Sequence, residues 1–514
     1  MVGALIRLPE ARNRRILIGL GALYVLIAAV ALMTTLAPIV PVLFLAMGVG
    51  LLAAGGSTWH ALLVVLGFIM FVPILFSVRI GGVSVSFART LYWAVAIGWL
   101  ANMRRRDRDF TIQRSPFDIA MLAVVASMTL ATVMNLPLMS NQEVLGALRR
   151  VALFAVDFFL LFVIVLSVLH RPGRTERMMK IFTLLVTATA VVGLIEHILG
   201  RSIFEDVAKV LPPAVGRTLT EVVQSTPRAR GFISRIRSTL EHPLAFGIVL
   251  NMALPMAAVF AMRAKQNRAR VGWVVTALLI GSAILLTAGR SIYALAGLTF
   301  LTMLVLLPDR RARLGVFALS LMIGALFVSQ SDVRRTMFSF FKPYRGGVLE
   351  GSINSRVLDY RPVLERVEQK PIAGWGPRTF SRPSLARNNL VPDPVNMVLD
   401  NTYLGHLAET GVIGLLALLS LMAVVYATAW RSLRLAPDRD SYLFRLGLLI
   451  AAQNWILMGF AADTYNFNAP PRLFSFIMAA IASERIASGW TPRYSRLREV
   501  EHELAEEPSA SAHA

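Results

Sequence analysis

Three short stretches hold residue types that could do chemistry. Arg290 sits in LLTAGRSIYALAGL, a lone cation between two apolar runs with no polar loop around it. A charge at membrane depth is costly and usually faces a cavity or a partner. A turn residue snorkelling to the interface is the plainer reading. Glu241-His242-Pro243 and Asp400-Asn401 each stand at the start of an apolar run. Their carboxylate and imidazole groups could take a proton as a general base. Asp400 and Asn401 would also serve as helix caps. His406 and Glu409 follow in the same run. There a lone histidine is expected to be a packed polar residue, and Glu409 a hydrogen-bonded brace.

The neighbouring segments are rich in arginine, with Arg235 and Arg237 ahead of Glu241 and Arg356 among those ahead of Asp400. A guanidinium fork matches phosphate oxygens in pairs, so the pattern points to an anion, most naturally phosphate. Ordinary solvated loop charge is the competing reading.

The elements that must position these residues follow from composition. Hydrophobic residues make up 56% of the 514 and charged residues only 16%, against about 25% charged in a soluble domain. There are no cysteines, so disulfides, a thiolate nucleophile and Cys-ligated metals are excluded. The net charge of +22, from 52 Lys+Arg against 30 Asp+Glu, would suggest nucleic acid in a soluble chain. In a membrane chain it follows from the positive-inside rule and anionic headgroups.

The apolar runs predict an all-α, polytopic integral membrane protein of about fourteen transmembrane helices, each needing about 20 residues. They lie near 16–35, 37–54, 59–78, 85–101, 117–136, 150–169, 181–199, 243–261, 271–289, 291–307, 314–329, 402–429, 442–462 and 471–487. With the basic N-terminus inside, basic turns return to the cytoplasm at 104–106, 171–180, 263–270, 310–313 and 431–439. The units are then the N-terminal helices (1–200), a first periplasmic loop (201–242), helices around the Arg290 turn (243–329), a large periplasmic loop (330–401), the C-terminal helices (402–487) and a cytoplasmic tail (488–514) whose composition predicts disorder. The large loop should carry an amphipathic helix from Ser352 or Asn354 to about Gln369, with Val357, Tyr360, Leu364 and Val367 on its apolar face.

Other motifs carry less. DRD at 107–109 and 438–440 lies in Arg-flanked cytoplasmic turns and reads as loop charge. No P-loop, HExxH or GxSxG is present, so no metal and no cofactor is expected.

Four segments together resemble a known family. KPIAGWGPRTF, which contains Trp375, is similar to a P-x-x-G-x-G-x-x-x-F element. DNTYLGHLAETGVIGLL (400–416) looks like H-N-x-Y-L-x-x-L-x-E-x-G-x-x-G-L, TAGRS (287–291) like T/S-x-S-R-x, and RSTLEHPLAFG (237–247) like R-x-x-G-T-F-x-x-P. In this order they resemble the bacterial O-antigen ligase and O-antigen polymerase family. The resemblance implies a metal-independent, inverting glycosyltransferase of the inner membrane. Such an enzyme moves a glycan from an undecaprenyl-diphosphate donor to a glycan or lipid acceptor at the periplasmic face, building lipopolysaccharide or exopolysaccharide. Carried over, Arg290, Arg237, Arg235 and Arg356 would hold the diphosphate, Asn401, Glu409 and Trp375 would position the site, and Asp400 would be the base. The family usually has His where this chain has Asp400, so His242 and Glu241 remain candidates for that role. The implied partners are the lipid-linked donor, the acceptor and the bilayer, with no nucleic acid. The rival is a transporter or flippase of lipid-linked glycan. It would need polar groups through the depth of several spans, whereas Arg89 and Asp157 are the main mid-span charges here.

Overall fold

A computed structural model describes residues 39–55, 58–72, 77–80, 83–103, 113–203, 229–230, 233–329, 344–345, 348–349, 360–361, 363–378 and 399–490. The chain runs through α1 (Ile39–Ala54), α2 (Thr58–Phe71), α3 (Phe87–Met103), α4 (Asp118–Met134), α5 (Asn141–Leu169), α6 (Arg174–Leu199) and α7 (Pro243–Arg263). It continues through α8 (Asn267–Leu286), α9 (Arg290–Leu306), α10 (Arg310–Ser329), α11 (Thr402–Arg434), α12 (Arg439–Met458) and α13 (Ala469–Ala487). Each apolar run expected from 37–54 onward meets one of these helices, and the run near 16–35 lies outside the described residues. By length and composition, α5, α6, α7, α8 and α11 can each cross a membrane. Large side chains such as Ile97, Ile119 and Val271 point outward, with Ile119 79% exposed. An apolar outside over an apolar core is what a bundle solvated by lipid needs.

Three departures from the expected elements have local causes. Residues 77–78 were expected to end a span, but Ser77–Ile80 (β1) and Val83–Ser86 (β2) pair antiparallel on either side of Gly81-Gly82. A Gly-Gly pair between alternating residues is a hairpin signal that competes with helix. Two shorter hairpins, Ala229–Arg230 (β3) with Ile233–Ser234 (β4) and Tyr344–Arg345 (β5) with Val348–Leu349 (β6), also interrupt the all-α reading. Finally, α5 starts nine residues before the expected 150, because Ser140 and Glu143 form a capping box that satisfies the first amides.

The core centres on α7, which packs against α6, α8, α9, α12 and α13. Its small residues let neighbouring backbones approach closely. Pro255 lies within it and has no N–H to donate to the carbonyl of Asn251, four residues earlier. That carbonyl instead accepts a 2.7 Å bond from the Asn454 side chain on α12. Asn454 also donates to Thr299 on α9, and Asn251 donates to Gly247 and Ile292. In a water-free bundle this exchange lets a proline sit mid-helix.

One end of the bundle is tied by ion pairs from the basic turns. Arg263 meets Glu176 at 2.8 Å, Arg445 meets Glu484 at 3.0 Å, and Arg439 pairs with Asp309. The sequence motifs gather at the other end.

Asn454→Leu should destabilise the protein by about 1–3 kcal/mol, the usual cost of a buried unsatisfied carbonyl. Pro255→Ala in the same chain should recover much of that loss, because it restores the missing donor. Unfolding midpoints of the two single variants and the double variant in detergent test this, and strictly additive losses would refute it.

Candidate functional site

The second half of the site is built on a broken helix. Asn401 caps α11, its Oδ1 accepting from the amides of Tyr403 and Leu404, both at 3.0 Å. Asp400 therefore lies outside the cap, half-buried at the mouth of the helix. Three turns on, α11 breaks at Gly411, where φ is 66° and ψ −168°. The loop 371–378 crosses this break and takes up the free backbone groups. Val412 N–H donates to the Pro371 carbonyl at 2.8 Å and Ile413 N–H to Ile372 at 3.3 Å, while Trp375 N–H donates to Ala408 at 3.0 Å and Gly376 N–H to Glu409 at 2.6 Å. The approach is close enough to require glycine on both sides. A Cβ on Gly374 would lie 2.6 Å from the Gly411 nitrogen, and one on Gly411 would lie 2.2 Å from the Ile372 oxygen. The two motif segments are thus halves of one backbone joint.

Side chains lock that joint. Trp375 is buried and donates through Nε1 to the Arg366 carbonyl at 2.9 Å. The Lys370 ammonium lies 4.4 Å over the Trp375 ring and donates to Asn135 on the far end of α4 at 2.7 Å. Asn135 in turn donates to the Gly374 carbonyl at 3.1 Å. Glu409 accepts from the Arg378 amide at 2.8 Å, which makes it a brace for the loop. The helix feeding the loop spans 363–369. Its apolar face differs from the expected one: Val363, with Tyr360 and Val367, packs on Leu399 and Ala408, while Leu364 is 48% exposed. Burial of Val363 and Arg366 sets a face one position away from Leu364. Val357 and Arg356 lie outside the described residues.

The turn 459–468, between α12 and α13, joins this joint to the other motifs. On one side Thr402 N–H donates to Gly459 at 2.8 Å, the Thr402 hydroxyl donates to Ala462 at 2.9 Å, and the Tyr403 ring lies 4.5 Å from that of Phe460. On the other side Glu241 accepts from the Asn468 amide at 2.6 Å, and the His242 ring stacks on Phe467 at 6.0 Å. The same segment reaches the Arg290 turn, since Arg235 Nε donates to Thr287 at 3.0 Å and Ile236 N–H to Leu286 at 3.2 Å. Arg237 is buried here, and Arg290 begins α9. Ser238 (φ 53°) and Ala288 (φ 49°) adopt left-handed backbone within these two turns. Such strain in non-glycine residues tends to mark functional sites.

Electrostatics separate the proton-transfer candidates. His242 caps α7, its Nδ1 accepting from Leu244 N–H at 3.1 Å. Burial first, then Arg235 and Arg237, lower its pKa to about 4. The ring is therefore neutral with its proton on Nε2, where it can donate but not accept. Burial raises Glu241, opposed by the Asn468 amide and the charge of Arg472. A third carboxylate was passed over in the sequence. Asp463 lies in the 459–468 turn, and burial and the nearby Glu409 lift its pKa to about 6 against the pull of Arg150. The only local signal was an acidic residue between two apolar runs.

Apolar helices long enough to cross a membrane, packed around one core, define a helical membrane protein. Residues 275–419 match the family model described as O-antigen ligase (Wzy_C), so the family resemblance is shown over the segment holding Arg290, the 371–378 loop and Asp400. The match supports a membrane glycan-transfer function. It ends before the 459–468 turn and begins after Arg237. No curated protein matches the chain.

Two outcomes check this geometry. Gly411→Ala should cost more than the about 1–3 kcal/mol of its glycine-restricted φ and ψ, because its Cβ would also meet the Ile372 carbonyl oxygen at 2.2 Å. It should also expose the 371–378 loop to limited proteolysis; an unchanged cleavage pattern would contradict the joint. His242 adds stability that is complete above its unfolded pKa of about 6.5 and is lost as pH falls toward 4. His242→Asn puts a capping oxygen in place of Nδ1 without that titration, so its unfolding midpoint should vary less than wild type between those pH values.

Proposed function

We propose that this protein is a membrane glycosyltransferase, an O-antigen or exopolysaccharide polymerase or an O-antigen ligase. It would move a glycan from undecaprenyl-diphosphate to an acceptor hydroxyl at the periplasmic face of the inner membrane. The observation that carries this reading is the stitching of four motif segments into one end of the bundle, opposite the basic turns. The positive-inside rule supports assigning that end to the outer side.

In this reading Arg290, Arg237 and Arg235 neutralise the diphosphate as it departs, where charge develops in the transition state. The acceptor oxygen attacks the anomeric carbon, the bond to the diphosphate oxygen breaks, and the sugar inverts. Asp400 takes the hydroxyl proton. Its support is position: it stands half-buried beside the start of α11, next to the capping Asn401. Asp463 is the second choice, since a carboxylate lifted to about 6 suits a base working near neutrality. His242, neutral and protonated on Nε2, fits positioning better than base catalysis. Arg89 and Asp157 face each other in an ion pair at 2.8 Å, and Asn454 donates to the Asn251 carbonyl and to the Thr299 hydroxyl. Mid-depth polar groups engaged in this way favour a one-sided enzyme over a transporter.

Deleting the gene in its host should remove long surface glycan on a size-resolving gel, and wild type should restore it. Arg290→Ala and Asp400→Asn should each reduce product by about 100-fold or more. Accumulated single-repeat lipid-linked glycan would identify a polymerase, and complete lipid-linked polymer a ligase. Full restoration by both variants would overturn the site.

A further inference from the structure

Against the arginine segment 235–238 stands a carboxylate that belongs to none of the four motifs. Glu196 lies in the last turn of α6 and is 6% exposed. Both facts weigh against an acid there. The C-terminal end of a helix carries partial negative charge, and a carboxylate away from water is costly unless it is hydrogen-bonded or paired. A residue kept against two local preferences points to a role outside its own helix.

The partners of Glu196 show where that role lies. Its Oε1 accepts from the Ser202 hydroxyl at 2.9 Å and from the Ile203 amide at 3.1 Å. Its Oε2 accepts from the Ser238 amide at 3.1 Å. Ser238 directly follows Arg237 and holds left-handed backbone, with φ 53°. The Ser238 hydroxyl donates to the Thr189 carbonyl at 2.7 Å, so α6 grips both the amide and the side chain of one strained residue. Ile236, which precedes Arg237, also lies close to α6: a Cβ on Gly193 would come 3.1 Å from its Cδ1. Ile236 and Arg235 are in turn tied to Leu286 and Thr287. Arg237 is thus fixed on both sides along the chain, and its positive charge acts on the Glu196 carboxylate.

We propose that Glu196 is a positioning residue for the diphosphate: by accepting the Ser238 amide it holds the strained backbone beside Arg237 and so fixes where that guanidinium stands. Strained backbone persists only where its surroundings over-determine it, and a hydrogen bond to an ionised carboxylate is among the stronger ways to do so. A guanidinium ordered in advance loses less freedom when it binds an anion. The proposal rests on the assignment of Arg237 to the diphosphate, and it names what makes that arginine effective. Charge alone predicts the opposite sign, since removing an acid near an anion site should tighten anion binding.

Binding, rather than turnover, tests it. Full-length protein in detergent is titrated with inorganic pyrophosphate at constant salt, by calorimetry. Glu196→Gln and Glu196→Met remove the same charge and keep similar bulk, but only glutamine offers Ser238 an oxygen. Glu196→Met should bind about ten-fold more weakly than Glu196→Gln, within the range for residues coupled in one hydrogen-bond network. On an Arg237→Ala background the two should bind alike, because Glu196 acts through Arg237, whereas a general weakening of the fold would persist there. Equal affinity of the two single variants, or a gap that survives Arg237→Ala, would overturn the proposal and leave Arg237 as a diphosphate ligand. Glu196→Asp keeps the charge and draws the acceptor back by one methylene. It too should weaken binding, which decides the matter even if the Met variant does not fold; unchanged affinity would count against the proposal. Arg237→Ala binding as tightly as wild type would remove the diphosphate assignment itself, and this proposal with it.

Discussion

Where α11 breaks at Gly411, amides and carbonyls lose their helical partners inside a bundle that offers no water to replace them. Every such group must find a partner in the protein, because each unsatisfied one costs several kcal/mol in an apolar medium. The 371–378 loop supplies them by laying its own backbone across the break. Much else follows from that exchange. The loop must carry glycine where the two backbones touch. Trp375 and Lys370 pin it to Asn135 on α4, and Glu409 is held in place to receive the Arg378 amide. Asp400 and Asn401 are placed by the same helix at its open end. The same logic operates at Pro255, where Asn454 replaces a donor that proline cannot provide.

The two ends of the bundle divide the charge differently. At the basic end, Arg263 and Lys180 share Glu176 and Arg445 pairs with Glu484, and the result is a set of braces. At the motif end burial raises Glu241 and Asp463, and Asp157 is shared between Arg89 and Arg472. Fixed guanidinium groups suit an anion whose charge grows as a bond to it breaks. Buried carboxylates with raised pKa suit proton removal from a hydroxyl. The 459–468 turn is the hub that brings the two together, contacting Glu241 on one side and Thr402 on the other.

Helix positions were legible in the sequence because a span needs a long apolar run, and such runs are visible without knowing what packs on them. Arg290 and the Asp400 turn stood out because each breaks the hydrophobic pattern, and the GWG loop stood out through its resemblance to the family element. The hairpin at 77–86 was missed because its apolar strands continue a helical-looking run. The loop helix was displaced because Leu364 and Val363 are equally apolar and only burial distinguishes them. Asp463 and the Arg89–Asp157–Arg472 cluster were not read as a site, since their members lie on separate helices far apart in sequence.

The amino-acid sequence by itself determined a helical membrane protein, and it singled out residue types suited to anion binding and proton transfer. Hydropathy and the distribution of Lys and Arg are properties of single segments, so they survive without a fold. Tertiary structure alone decided which segments meet: that the two glycine motifs are one joint, that Asn401 caps α11, that His242 caps α7, and that arginines from two other helices meet on one aspartate. Those outcomes depend on backbone groups finding partners across distances in sequence that no local pattern encodes.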